Sequence, residues 1–298
     1  MRFTSILVFS LVQKNPRVID FIKDLVSLRN LVLGLLSISV IGTLFLAPVQ
    51  AQVPTILDAK LLADSGLFHR DMQEIRSAHQ MLTKVIQNNS NSEQAYYYLG
   101  YVEYQLAILY MNDPVRGNDI SAGQDSSLMF LNNAIDHLKK SISLDKKSQN
   151  AAEAHALLSM TYGQKIRIQP GKGMILGIRS RRSIKKAKKI DSDNPRIVLS
   201  EAISHYNTPS QFGGSQEKGL AGFKRAVSLF MSEDDRPQHL PTWGKVEALT
   251  WLGIAYMQTE QYQHAQDSFE KALAINPNYG WVKYSLMPLL NSKISTDT

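Results

Sequence analysis

The 34 residues from Val246 to Tyr279 constrain this 298-residue chain more than any other stretch. They read VEALTWLGIAYMQTEQYQHAQDSFEKALAINPNY. Leu249, Leu252 and Tyr256 recur at three- and four-residue spacing, so they share one face of a helix. Ala265, Phe269 and Ala272 do the same on a second helix. Gly253 and Ala265 are small where the two helices must approach closely; a larger side chain at either place overpacks the contact, at roughly 1–3 kcal/mol. Tyr262 closes the turn, and Pro277 ends the second helix because it cannot continue one. One such hairpin cannot bury its apolar face alone, so the rest of the chain must supply neighbours for it to stack on.

The order Leu252, Gly253, Tyr256, Ala265, Phe269, Ala272, Pro277 resembles the tetratricopeptide repeat, L-G-x2-Y followed by A-x3-F-x2-A and Pro. The early Trp of that pattern is Leu249 here, and Trp251, two residues on, faces a different side. Weaker copies precede it. Residues 58–92 carry Ala78, Leu82 and Val85 in second-helix places. Residues 93–150 carry Ala95, Tyr96, Leu99 and Gly100, then Ala134, Leu138 and Ser141, around an Asn-, Asp-, Gly- and Pro-rich stretch at 112–126 that reads as a loop. Residues 151–192 carry Ala154, Leu158, Ser159 and Tyr162, then Ser180, Ile184 and Ala187. In 193–231, Pro195 opens a helix, and Gly219, Phe223 and Ala226 mark its partner. A loop at 232–244 leads into the strong repeat at 246–279, and 280–292 supplies a closing helix with Pro288 near its end. The resemblance implies an all-α, right-handed superhelix of about five degenerate repeats plus a C-terminal capping helix, over residues 52–298. It also implies a role in protein–protein interaction, without naming a partner.

Residues 31–51, LVLGLLSISVIGTLFLAPVQA, contain no charged side chain, and basic residues precede them. The run is long enough to span a bilayer, while Val49-Gln50-Ala51 resembles a signal-peptidase site. Residues 1–51 therefore read as a signal peptide or an N-terminal membrane anchor. On either reading the remainder is exported, periplasmic or otherwise extracytoplasmic. The chain has no cysteine, which excludes disulfides, thiol catalysis and Cys-ligated zinc. The formal net charge of +7 includes a basic contribution from the N-terminal segment, and the mild excess that remains does not call for nucleic acid.

First helices of such repeats line the inner, concave face. The side chains pointing off their packing side are Tyr97, Tyr98, Tyr101 and Tyr104 in the second unit, then Met160, Tyr206, Trp251 and Ile254. Aromatic residues suit a binding groove, although aromatics at helical spacing also pack between repeats. Recognition of an acidic chain end needs Lys, Asn and Arg at these places, and they are absent. Arg179, Arg181, Arg182, Lys185, Lys186, Lys188 and Lys189 form a basic run around the inward-facing Ile184 and Ala187. It reads as a solvated outer face, or as a contact for anionic lipid or an acidic partner.

Motifs for chemistry are missing. Gly171-Lys172-Gly173 lacks the order of a phosphate loop, and Asp113, Asp119 and Asp125 lack that of a calcium loop. There is no His-Glu-x-x-His and no Gly-x-Ser-x-Gly. The sequence therefore predicts a non-enzymatic module with no metal and no cofactor. Its expected role is a scaffold of the cell envelope, holding a segment of another protein in the groove. The alternative is an accessory, small-ligand-binding subunit of a solute transport system. The sequence does not fix the oligomeric state.

Overall fold

Short polar side chains set where each helix begins. The computed structural model describes residues 55–111, 120–233 and 236–296. The apolar run at 31–51, residues 112–119 and the Asp234-Asp235 pair lie outside the described residues. Thr55 and Asp58 form a reciprocal capping box at the start of α1 (Ile56–His69). Asp71 accepts from two backbone N–H groups at 2.8 and 3.2 Å to open α2 (Met72–Asn88). Then follow α3 (Glu93–Met111) and α4 (Ile120–Leu144). Ser148 caps α5 (Gln149–Ile168), and a short 3₁₀ turn joins it to α6 (Gly173–Ile190). Asn194 caps α7 (Pro195–Asn207), with Pro195 in the first turn, and Ser215 caps α8 (Gln216–Met231). Glu247 accepts from the Gly244 N–H to close the start of α9 (Lys245–Gln258), which is followed by α10 (Tyr262–Ile275).

Consecutive helices pack as hairpins, α1 with α2 through α9 with α10, and each hairpin packs on the next. This is the all-α superhelical architecture that the repeat implies. Gly253 shows why the pattern holds: a Cβ there would lie 2.4 Å from the Phe269 ring, which fills the space between α9 and α10. Phe269 and Ala272 are fully buried, and burial of a Phe side chain alone contributes roughly 1.5–3 kcal/mol. In the second hairpin the buried Glu103 carboxylate accepts from His79 on α2 at 3.2 Å and His137 on α4 at 2.7 Å, so it is not stranded among apolar neighbours.

Two boundaries differ from the sequence expectation. Helix α4 begins at Ile120, so residues 120–126 are helical in spite of their Asn-, Asp- and Gly-rich surroundings. Pro288 does not lie near the end of the closing helix. A π-helical turn at Val282–Leu286 precedes it, and α11 (Met287–Thr296) runs on past it. A wider turn removes the need for the N–H that proline lacks and eases its clash with the preceding turn. Among the described residues no helix is long and apolar enough to cross a membrane.

Candidate functional site: the inner face of the repeat array

In the tetratricopeptide arrangement the first helices α1, α3, α5, α7 and α9 are the inner ones, and here α1 packs on α3, α3 on α5 and α5 on α7. The chain lays one of its own segments across it. Residues 236–243, from the connection between α8 and α9, bond to side chains on α1, α3 and α5. The Tyr98 hydroxyl and the Gln94 amide, both on α3, donate to the His239 carbonyl at 2.6 and 2.9 Å. Thr242 donates to Asp64 of α1 at 3.2 Å, and Lys60, itself paired with Asp64 at 2.6 Å, reaches the Thr242 hydroxyl at 3.4 Å. Trp243 is inserted deepest. Its indole N–H donates to the Tyr97 hydroxyl at 2.8 Å, and its ring stacks on Tyr101 with centroids 6.4 Å apart.

A buried ionic network anchors the start of this strap. Arg196 on α7 is only 1% exposed. Its guanidinium makes a two-pronged pair with Glu233 at 2.7 and 3.1 Å and lies over the rings of Phe230 and Trp243. Arg236 bridges Glu233 at 2.8 Å and the buried Glu153 of α5 at 2.5 Å. Glu153 also accepts from the Asn194 amide at 2.8 Å, so the residue that caps α7 ties it to α5. Burial works against the Glu233 carboxylate, but the Arg196 and Arg236 guanidiniums overcome it and hold the group below the usual carboxylate range. At Glu153 burial pushes the carboxyl upward, and the same two guanidiniums oppose that push.

The ends of the array also meet. The Arg70 guanidinium lies 5.6 Å from the centre of the Tyr284 ring. A Cβ at Gly280 would meet that guanidinium, so a larger residue there would make the Arg70 side chain shift. On the inner side burial pushes the Tyr104 and Tyr279 hydroxyls well up, and each feels the Glu247 carboxylate.

The groove candidates from the sequence are therefore covered rather than open. Tyr97, Tyr98, Tyr101, Tyr104 and Ile254 are buried. Met160 is half-buried against the large core around α3. Tyr206 and Trp251 are half-buried between repeats: Tyr206 packs on Phe223 and donates to Gln258 at 3.1 Å, and Trp251 stacks on Phe223 and meets Trp281. Of the repeat-signature positions, Leu252, Ala265, Phe269 and Ala272 are buried, Tyr256 is half-buried, and Pro277 follows α10. The basic run lies exposed along α6, with Lys188 paired to Glu201 at 2.7 Å.

Sequence reasoning missed Lys60, Asp64, Gln94, Glu153, Arg196, Glu233, Arg236 and Trp243. A signal was present for two of them. Glu153 and Arg196 are charged residues near the starts of first helices, beside the small or apolar residues that pack there.

The paired hairpins define an α-helical repeat protein, and the sequence within them narrows the class. Residues 246–279 match the family model of the tetratricopeptide repeat. Among solved structures, the HusA haemophore from Porphyromonas gingivalis superposes with a TM-score of 0.53 at 20% identity, over 72% of this chain and 97% of that one. A thermophilic tetratricopeptide-repeat protein of Thermus thermophilus superposes with a TM-score of 0.50 at 16% identity, over 76% of this chain and 95% of that one. No curated protein matches the chain in sequence. At these identities the likeness is one of fold. The fold is that of tetratricopeptide-repeat proteins, and the repeat itself is matched at residues 246–279.

Proposed function

We propose that this protein is a non-catalytic scaffold of the cell envelope that binds an extended segment of another protein on the inner face of its repeats, in competition with its own strap. One observation carries the reading. The side-chain donors of α3 already hold the backbone carbonyl of a non-helical segment, with Tyr98 and Gln94 both on His239. Main-chain recognition by fixed side-chain donors, with one aromatic anchor in a pocket, is how a groove takes an extended peptide. The strap supplies that anchor as Trp243, and it supplies a basic residue, Arg236, for the buried Glu153. A partner segment of the same chemistry, a cation followed by an aromatic residue, displaces it. The envelope location rests on the uncharged run at 31–51 and its Val49-Gln50-Ala51 end.

The test is a photo-crosslinking side chain at Gln94 in the protein made in its own cell. The expected result is a crosslink to a second polypeptide, increased when Trp243→Ala loosens the strap. Crosslinks confined to the protein's own 236–243 segment, in both the parent and the Trp243→Ala form, overturn the proposal.

A further inference from the structure

A second surface, on the outer side of the array, carries its own argument. Helix α6 bears seven cations, and among the described residues only Lys188 has a carboxylate partner. Arg179, Arg182 and Lys186 fall on one stripe of the helix. Together with Lys139 from α4, which is loosely paired with the exposed Asp136 at 3.7 Å, they line a cleft of about 320 Å³. Ile142, Leu158 and Tyr162 also line it, and no carboxylate does. His155 contributes to the wall. It is 6% exposed, and its Nδ1 is buried without a hydrogen-bond partner. A buried polar atom left open beside four cations is what a site for an anionic, hydrogen-bonding group requires.

The apolar side chains next to this cleft are as unusual as the charges. Met174, Ile175 and Ile178, in the first two turns of α6, are 71, 59 and 46% exposed. Single exposed apolar residues are ordinary, but three large ones grouped beside a cationic stripe mark a contact surface. The next hairpin connection also exposes a large apolar side chain, Phe212, 53% exposed at the end of a tight turn. That turn is held by bonds from Phe212 N–H and Gly214 N–H to the Pro209 carbonyl, and Gly213 takes a φ of 89°. A rigid turn that presents Phe212 to solvent is poised to put it into something apolar. Aliphatic tips beside unpaired cations are the composition of a surface that sits at a bilayer interface. Nucleic acid would call for aromatic stacking among the cations, and α6 has no aromatic residue.

We propose that the outer face of α6 docks on an anionic phospholipid surface, with a lipid phosphate seated between Lys139, Arg179, Arg182 and Lys186 and with Met174, Ile175 and Ile178 set into the acyl boundary. The orphaned His155 nitrogen and the Tyr162 ring line the inner wall of that seat.

Because the chain has no cysteine, one introduced thiol reports one place. Full-length protein is labelled with an environment-sensitive dye at Ile175→Cys and, as the control, at the exposed Lys271→Cys on α10. Each is titrated with vesicles of phosphatidylglycerol and phosphatidylcholine in equal parts, and with phosphatidylcholine alone. The apolar run at 31–51 and the basic residues before it could favour the anionic vesicles, but they are common to the label at 175, the label at 271 and the triple variant, so they create no difference among those three. The expected result is a blue shift at position 175 with the anionic vesicles only. In the Arg179→Gln, Arg182→Gln, Lys186→Gln form it requires roughly a hundredfold more lipid. These three residues are exposed, so an unchanged circular dichroism spectrum confirms that the variant is folded. No shift at 175, the same shift at 271, or a shift equal on neutral vesicles and in the triple variant overturns the proposal. Inorganic phosphate that abolishes the shift at millimolar concentration identifies a free-phosphate site and overturns the lipid assignment. A shift seen only in native cell extract, and not with vesicles, points to a protein partner and overturns it too.

Discussion

Replacing Trp243 by alanine tests whether the inner face is closed by its own strap. The side chain is buried and bridges first helices through Tyr97 and Tyr101 on α3 and Arg196 on α7, and beside it Thr242 bonds to α1. Truncating a buried Trp to Ala costs about 3–5 kcal/mol. The lost contact with the Arg196 guanidinium adds roughly 0.5–2 kcal/mol where the cation is desolvated, as it is here. A total of about 3.5–7 kcal/mol is then expected, a large share of the stability of a domain this size. Trp243→Phe keeps most of the apolar area and loses only the N–H donor to Tyr97, so its cost is about 1–2 kcal/mol. The two effects are separated by urea unfolding followed by far-ultraviolet circular dichroism, with amide hydrogen exchange across residues 236–245 as the local readout. Trp243→Ala must both lower the urea midpoint and speed exchange in the strap. Adding Tyr97→Phe to Trp243→Phe should cost less than the sum of the single changes, by about 1 kcal/mol, because the two groups share one bond. A Trp243→Ala form within about 1 kcal/mol of the parent, with unchanged exchange in the strap, means that Trp243 lies on an open surface and that the groove candidates are free.

Four further outcomes follow from the same contacts. Arg196→Met leaves Glu153 and Glu233 short of a buried cation and should cost about 3–5 kcal/mol in urea unfolding, and adding Glu153→Gln and Glu233→Gln should recover part of it; a triple variant no more stable than the single one refutes the network. Ala272→Arg puts a charge into a fully buried helix contact, so it should lower the melting temperature and speed exchange in α11; unchanged melting means that the repeat register is displaced. Burial, with help from Lys186, lowers the His155 imidazole to about 4, whereas the unfolded chain takes up that proton near 6.5. Its stabilising contribution is complete above 6.5 and is lost as pH falls from 6.5 to 4. The ceiling is about 3 kcal/mol, reduced by solvent in the cleft, and His155→Gln should flatten stability across that window; parallel pH profiles refute this. Finally, the proposed signal-peptide reading of residues 1–51 expects N-terminal sequencing of the protein made in its own cell to read Gln52 first, and a retained N-terminus in the membrane fraction selects the anchor instead.

What the sequence made legible was local. Gly253, Phe269 and Ala272 lie within one hairpin, so their spacing alone carries the contact, and the last repeat could be read residue by residue. The strap was hidden because its bonds join residues far apart in the chain, Trp243 to Tyr97 and Arg236 to Glu153, and no periodicity encodes such pairs. Its consequence was nevertheless written in α3. An amphipathic helix that packs on one side and faces a solvent-filled groove on the other needs a polar stripe. Every residue from Tyr97 to Tyr104 is buried, and only Glu103 among them is charged, tied down by His79 and His137. The second helices α2 and α8 do show two faces, with buried positions three and four apart and polar residues between. A first helix that is apolar or aromatic all round predicts a cover over its inner side. The four tyrosines of α3 therefore imply an occupied inner face, and the only question left to the fold was which part of the chain, or which other chain, supplies the occupant.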